Sequence, residues 1–342
     1  MHQGAESDHA ALRPLRRLAS PRRQRYHEAL GLVSFCVRLG GHRVSESSPP
    51  ICDYEGSGYR TDFWENQGRD YEDLTERIAL RRLLPERGRR VAHLGAGFGR
   101  MTNELSGYEQ VIVLDYSRTM LREAQARLGR DARYVYVAAD IYHLPLADGS
   151  CDAAVMERVI HHMADVPAAL RQIRAILAPG APFILEYASK RNLKAILRYA
   201  LRRQSWNPFD LQPVEFVALN FDFHPSYMAR CLQEAGFHTE QRLALSYFRL
   251  GLLKRTVPLR LLVTLDRWLQ PTGQIAPFSP SVFTRNIAVG NTPAAALDGP
   301  LFKCPHCGTP LLEDGETVAC PHGHGRWACR DGIYDFKEPI SG

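Results

Sequence analysis

Val91-Ala92-His93-Leu94-Gly95-Ala96-Gly97-Phe98-Gly99 is an apolar run that ends in alternating glycines. Val111-Ile112-Val113-Leu114-Asp115 and Val137-Ala138-Ala139-Asp140 follow it in order. A strand that runs into residues without Cβ lets backbone N–H groups close on a ligand, and a helix starts at that turn. Asp115 lies 20 positions after Gly95, which matches the offset of about 20 residues at which a carboxylate holds ribose hydroxyls. The three segments in register predict a nucleoside-cofactor site.

A dinucleotide fingerprint would place its third glycine at position 100, where this chain has Arg100. The pattern reads Gly-x-Gly-x-Gly instead. From Glu76 to Glu186 the chain resembles the class I S-adenosylmethionine-dependent methyltransferases, in particular the type 11 group. The resemblance is carried by Leu114-Asp115-Tyr116-Ser117, by Ala139-Asp140-Ile141 with Leu144-Pro145-Leu146, and by Asp148-Gly149-Ser150-Cys151-Asp152. Val159-Ile160-His161-His162-Met163 and the stretch from Leu170 to Gly180 leading into Pro182-Phe183-Ile184-Leu185-Glu186 complete it. It implies an α/β fold built on a doubly wound, seven-stranded Rossmann-like sheet, with S-adenosylmethionine as cofactor.

The resemblance also implies roles. Gly95, Gly97 and Gly99 bring backbone against the methionine and ribose portion, and Asp115 accepts from both ribose hydroxyls. Tyr116 packs on the adenine, Asp140 accepts from its amino group, Ile141 covers the ring, and Glu157 sits near the sulfonium. One departure stands out. The family carries an acid two positions before the first glycine, where this chain has His93. A neutral imidazole hydrogen-bonds but does not supply that charge, so either another acid substitutes, with Glu157 a candidate, or cofactor affinity is reduced. Candidate proton acceptors are His161 and His162 after the fourth strand, and His224, with Asp222 close in sequence as an orienting group.

Composition narrows the rest. A chain of 342 residues buries a domain-sized core easily, and no apolar run approaches the ~18–20 residues of a membrane span. Residues 1–45 hold eight arginines against Glu6, Asp8 and Glu28, so most of the formal charge of +6 sits there. That segment reads as a solvated extension more readily than as a nucleic-acid grip. Cys36, Cys52, Cys151 and Cys231 follow no pattern, which with the carboxyl-terminal cluster reads as a cytoplasmic thiol-and-metal chain.

The expected organisation is a basic leader at 1–55, a methyltransferase domain at 56–292 and a zinc ribbon at 300–338. Lid insertions are expected at about 190–224 and 250–276. Amphipathic helices are expected over Tyr59–Leu84, Val166–Leu177, Lys190–Arg203, Pro225–Ala235 and Leu252–Leu269, with strands over Thr239–Tyr247 and Val282–Val289. Near the carboxyl end, Cys304, Cys307, Cys320 and His324 are spaced as C-x2-C-x12-C-x3-H, which suits one structural tetrahedral zinc, with Cys329 an alternative fourth ligand. The module resembles the ribbon of bacterial 23S ribosomal RNA guanine methyltransferases, and its tail Arg330 to Phe336 resembles small zinc-containing activator subunits of tRNA methyltransferases. Methyl transfer to a small, lipophilic or anionic molecule is the favoured reading. An RNA base methyltransferase and an inert cofactor-binding scaffold are the alternatives. Stable membrane insertion is not expected, and the oligomeric state stays open.

Overall fold

A computed structural model describes residues 49–290 and 299–340. Most of the expected basic leader therefore lies outside the described residues. Helices α1 (Tyr59–Phe63) and α2 (Asp70–Leu83) precede a βα alternation. It runs through β1 (Gly88–Leu94), β2 (Tyr108–Asp115), α3 (Arg118–Leu128), β3 (Tyr134–Ala138) and β4 (Ala153–Met156), then α4 (Val166–Ile176) and β5 (Pro182–Ala188). Next come α5 (Leu193–Ala200), the hairpin β6 (Val214–Val217) and β7 (Asn220–Asp222), α6 (Pro225–Glu234) and β8 (Phe237–Leu245). Helices α7 (Gly251–Thr256) and α8 (Leu259–Leu269) lead to β9 (Ser281–Ala288). The carboxyl-terminal module adds β10 (Leu312–Asp314), β11 (Thr317–Ala319), β12 (Arg326–Arg330) and β13 (Ile333–Asp335).

The Rossmann-like sheet expected from the sequence is present, but its strand count is a correction. It has eleven strands, in the order β10-β11-β12-β13-β3-β2-β1-β4-β5-β9-β8. Strands β1 to β5 are parallel to their neighbours, and β9 and β8 close that side antiparallel. The four extra strands belong to the module, which was expected to stand apart as a small ribbon. Instead β13 pairs in parallel with β3, Tyr334 opposite Val137. An unpaired edge presents a row of N–H and C=O groups that another strand satisfies, and here the chain's own tail does so.

Apolar residues cover both faces of the sheet. One face packs α4 and α6 through Leu170, Ile173, Met228 and Leu232, and that core runs on into the module through Phe302, Trp327 and Phe336. The other face packs α2 and α3 through Leu80, Leu83, Leu121 and Ala124. Two expected helices are each split. Tyr59–Leu84 breaks between α1 and α2, where Asn66 and Gly68 take positive φ. Leu252–Leu269 breaks at Val257-Pro258, because proline disfavours a helical residue before it and has no N–H to donate.

Candidate active site

The carboxyl ends of β1, β2, β3 and β4 open into a cleft of about 870 Å³, counting its mouth. Gly95, Gly97, Asp115, Tyr116, Asp140, Ile141, Glu157 and His162 line it, as do Tyr54, Tyr59, Trp64 and Arg158. Ile51, Cys52 and Tyr54 fall before the boundary drawn at residue 55, so this part of the expected leader is wall of the cleft.

Asp115 ends β2, and two backbone N–H groups fix its side chain. Gly97 donates to Oδ2 at 2.8 Å and Ser117 to Oδ1 at 2.9 Å. Ser117 is in place because its hydroxyl caps α3, accepting from the Met120 N–H. A carboxylate has about four lone-pair sites, so the second pair on each oxygen remains for a diol. Burial pushes the Asp115 carboxyl up, against the two backbone donors, which hold it down.

The glycines divide in role. Gly97 has φ of +53°, and a Cβ there would point into open space within the cleft, so backbone is what a ligand meets. At Gly95, φ is +69° and a Cβ would lie 2.2 Å from Val159 Cγ2. Valine is stiff at χ1 and gives little. Gly95→Ala is therefore expected to lower stability by about 2–4 kcal/mol, the clash adding to the left-handed backbone. Val159→Ala in the same chain should restore only the part due to the clash, as thermal unfolding would show. Gly99 is a correction: it does not line the cleft, and its Cα faces Leu128 and Ala124 of α3. Its glycine allows close helix–sheet packing.

His93 is fully buried and bonded at both ring nitrogens. Nε2 lies 3.0 and 2.9 Å from the two oxygens of Glu157, and Nδ1 lies 2.9 Å from the Thr102 hydroxyl. With Nε2–H donating to Glu157 and the threonine hydroxyl donating to Nδ1, every polar atom of the imidazole is satisfied. The histidine in place of the usual acid therefore orients an acid that reaches the cleft from β4.

Asp140 caps the turn Ile141–His143, accepting from the Tyr142 N–H at 2.9 Å, and its other oxygen is 2.9 Å from His143 Nδ1. The Tyr116 ring lies 4.9 Å from Lys337 Nζ, so the module's tail touches the cleft wall.

The three candidate bases separate. His162 lines the cleft with both nitrogens engaged: Nδ1–H donates to Leu219 O at 2.8 Å, and Nε2 accepts from the Tyr54 hydroxyl at 3.2 Å. Burial lowers its pKa and keeps it neutral. His161 does not line this cleft. Its ring is 4.2 Å from that of His162, and its buried Nδ1 has no partner. His224 is the N-cap of α6, with Nδ1 accepting from the Ser226 N–H at 3.1 Å.

Beyond Arg158 lies a group of ionisable side chains, most of which sequence reasoning missed. Arg158 has φ of +57°, and its N–H donates to Glu186 Oε2 at 2.9 Å. Its guanidinium pairs with Glu76. Glu76 is fully buried and also holds Arg100 at 2.7 Å. Arg100, at the third-glycine position, lies 3.9 Å from the centre of the Trp64 ring at the end of α1, and its ion pairs with Asp73 and Glu76 tie α2 to the glycine turn. Asp222 in β7 stands at the sheet's carboxyl end, because Phe223 beside it pairs with Ala188 O and Lys190 N–H. Its carboxyl is pushed up to about 7, first by burial and then by Glu186, while Arg249 and Lys190 oppose the rise. It is not hydrogen-bonded to His224. The sequence singled it out only as an orienting group for His224, on their closeness in the chain.

In the module, the ligand atoms of Cys304, Cys307, Cys320 and His324 all lie within 4.8 Å of one another. Cys307 Sγ is 3.6 Å from Cys320 Sγ, which is 3.4 Å from His324 Nδ1. A tetrahedron with metal–sulfur bonds of ~2.3 Å has edges of roughly 3.7 Å. Cys329 is outside the group, in β12 opposite Tyr334.

Residues 92–185 match the family model described as a methyltransferase domain. An O-methyltransferase of Penicillium expansum is 28% identical over 42% of this chain and 56% of its own length. A demethylmenaquinone methyltransferase of Corynebacterium kroppenstedtii is 34% identical over 32% of this chain and 46% of its own. A malonyl-[acyl-carrier protein] O-methyltransferase of Erwinia pyrifoliae is 29% identical over 38% and 49%. The chain thus spans about half the length of these curated relatives. Among solved structures, an S-adenosylmethionine-dependent methyltransferase from Mesorhizobium loti is similar over 64% of this chain and 99% of its own, at 21% identity and a TM-score of 0.44. A chain of the complex between the Haloferax volcanii Trm112 methyltransferase activator and a methyltransferase is similar over 68% and 96%, at 18% identity and a TM-score of 0.49. The chain carries a methyltransferase domain.

Proposed function

We propose that the protein transfers a methyl group from S-adenosylmethionine to a small-molecule acceptor. One observation carries the reading: a carboxylate locked by two backbone N–H groups and a histidine-oriented glutamate line the same cleft. Asp115 would hold the ribose hydroxyls, Gly95 and Gly97 the backbone contacts, and Tyr116, Asp140 and Ile141 the adenine. Glu157, held by His93, would face the amino and sulfonium end and supply the negative charge that position 93 lacks. When bound, the cofactor supplies an already activated methyl group. Tyr59, Trp64 and Arg158 wall that end of the cleft and exclude water.

The acceptor would lie beyond Glu157, among Arg158, His161, Glu186, Asp222 and Arg249. Asp222 is the group suited to take its proton, since a catalytic base works best when its pKa is near the working pH. His162 would position Tyr54 at the rim. The named O-methyltransferase relatives favour an oxygen nucleophile. The His93–Glu157 pair weighs against the inert-scaffold reading.

Incubation of the purified protein with radiolabelled S-adenosylmethionine and fractionated cell extract tests the proposal. Label is expected in a small-molecule or lipid fraction. Label confined to RNA, or no label despite bound cofactor, would sink it.

The four module ligands fit a structural zinc with no open coordination position, so the metal would fold the module without doing chemistry. Elemental analysis should find one zinc per chain. Chelation is expected to loosen β10–β13 and, through β13 and Lys337, to weaken cofactor binding about tenfold, because the tail against Tyr116 loses its anchor. Unchanged affinity after complete metal removal would show the module to be uncoupled from the cleft.

A further inference from the structure

Helix α5 is turned the wrong way round for a helix that faces water. At 100° per residue, Leu193, Leu197 and Leu201 fall within an arc of about 80°. A surface helix normally sends such an arc into the core. Here the buried residue is Ala195, on the opposite side, while Leu193, Leu197 and Leu201 are 57%, 53% and 62% exposed. Lys194 and Arg198 lie on one flank of the leucines, and Arg202 and Arg203 follow directly after the helix, all four of them exposed. No acidic residue occurs from Lys190 to Phe209.

The face continues onto its neighbours. The Leu193 N–H donates to Phe278 O at 2.8 Å, and the Arg191 guanidinium lies 5.3 Å from the centre of the Phe278 ring. Phe278 and, three residues before it, Ile275 are both exposed, Ile275 at 91%. The Arg249 charge reaches Lys194 and helps to lower its pKa, and the two residues that follow at the start of α7, Leu250 and Leu252, are 47% and 73% exposed.

Contiguous apolar surface of this kind marks a place that something covers. The cover must offer hydrocarbon to the leucines and negative charge to the arginines. A nucleic acid would satisfy the cations and leave the leucines wet. A second copy of this chain would set cations against cations. The boundary of a bilayer rich in acidic phospholipid supplies both partners, with acyl chains below and phosphates at the level of the guanidinium groups. We propose that this face seats the protein on an anionic membrane surface, with α5 lying in the headgroup layer. No helix among the described residues is long and apolar enough to cross a membrane, so attachment through this face is peripheral.

Sedimentation of the full chain with vesicles tests this without reference to any methyl acceptor. The protein should pellet with phosphatidylcholine–phosphatidylglycerol vesicles and not with phosphatidylcholine alone, and added salt should release it. Arg198→Gln with Arg202→Gln is expected to weaken the partition about thirtyfold, near fivefold per cation. Leu197→Asp with Leu201→Asp should abolish it, with melting temperature and S-adenosylmethionine affinity unchanged. Equal binding to both kinds of vesicle, or binding to neither, overturns the proposal. So does self-association in the ultracentrifuge that Leu197→Asp dissolves, or RNA binding indifferent to the leucines in a protein that ignores vesicles.

Discussion

Asp115→Ala is expected to remove measurable binding of S-adenosylmethionine and of its demethylated product in a calorimeter. Two charge-assisted hydrogen bonds to ribose hydroxyls contribute about 1.5–3 kcal/mol each, so affinity should fall about a hundredfold to ten-thousandfold. The loss reaches further than the sugar. The Gly97 and Ser117 N–H groups both end on this carboxylate, and without it the glycine turn and the first turn of α3 lose their common anchor. Asp115→Asn keeps the bulk but sets an amide NH2 against one of those N–H donors, so its binding should resemble that of the alanine variant. Heat of binding retained in Asp115→Ala would remove the basis for the cofactor assignment.

Asp222→Asn should move stability and activity in opposite directions. In the fold its carboxyl titrates at about 7, against 3.8 for the free group. Well below pH 3.8 it is protonated in folded and unfolded chains alike and has no effect. From there to pH 7 the unfolded chain ionises it and the fold resists, so stability is lost progressively and stays lost above. The difference corresponds to roughly 4 kcal/mol at most. The asparagine variant is spared this, and should be more stable than the parent by about 2–4 kcal/mol at pH 8 and converge on it below about pH 3. Activity should show the reverse: a rate that rises with pH through about 7 in the parent, and a loss of about a hundredfold to ten-thousandfold with no such rise in the variant. A variant that gains stability and keeps full activity would leave Asp222 without a catalytic role.

The half of the site proposed to hold a nucleoside was readable because local chemistry dictates it. Positive φ at Gly95 and Gly97 and the acid at the end of β2 are demands of the backbone, and backbone demands leave marks in sequence. The same logic found Cys304, Cys307, Cys320 and His324, which short turns bring together. The other half was not readable. Glu76, Arg158, Glu186 and Arg249 come from four separate segments, each alone resembling a surface charge, and Asp222 was read only as an orienting group for His224. At His224 the sequence left two readings, since a histidine after an aromatic–acid pair fits a cap as well as a base, and the fold uses it as a cap. Gly99 misled because a glycine that serves a helix has the same letter as one that serves a ligand. The pairing of β13 with β3 had no signature, since a three-residue strand after a turn says nothing about where it docks.

That pairing has a kinetic side. Tyr334 meets Val137 across about 200 intervening residues, so this closure is among the slowest contacts for a chain to find. Until it forms, β3 is a bare edge able to accept a strand from another molecule. Refolding from denaturant should therefore divide between monomer and strand-exchanged or aggregated species according to protein concentration, and a synthetic peptide of the final strand should act as a competitor for that edge.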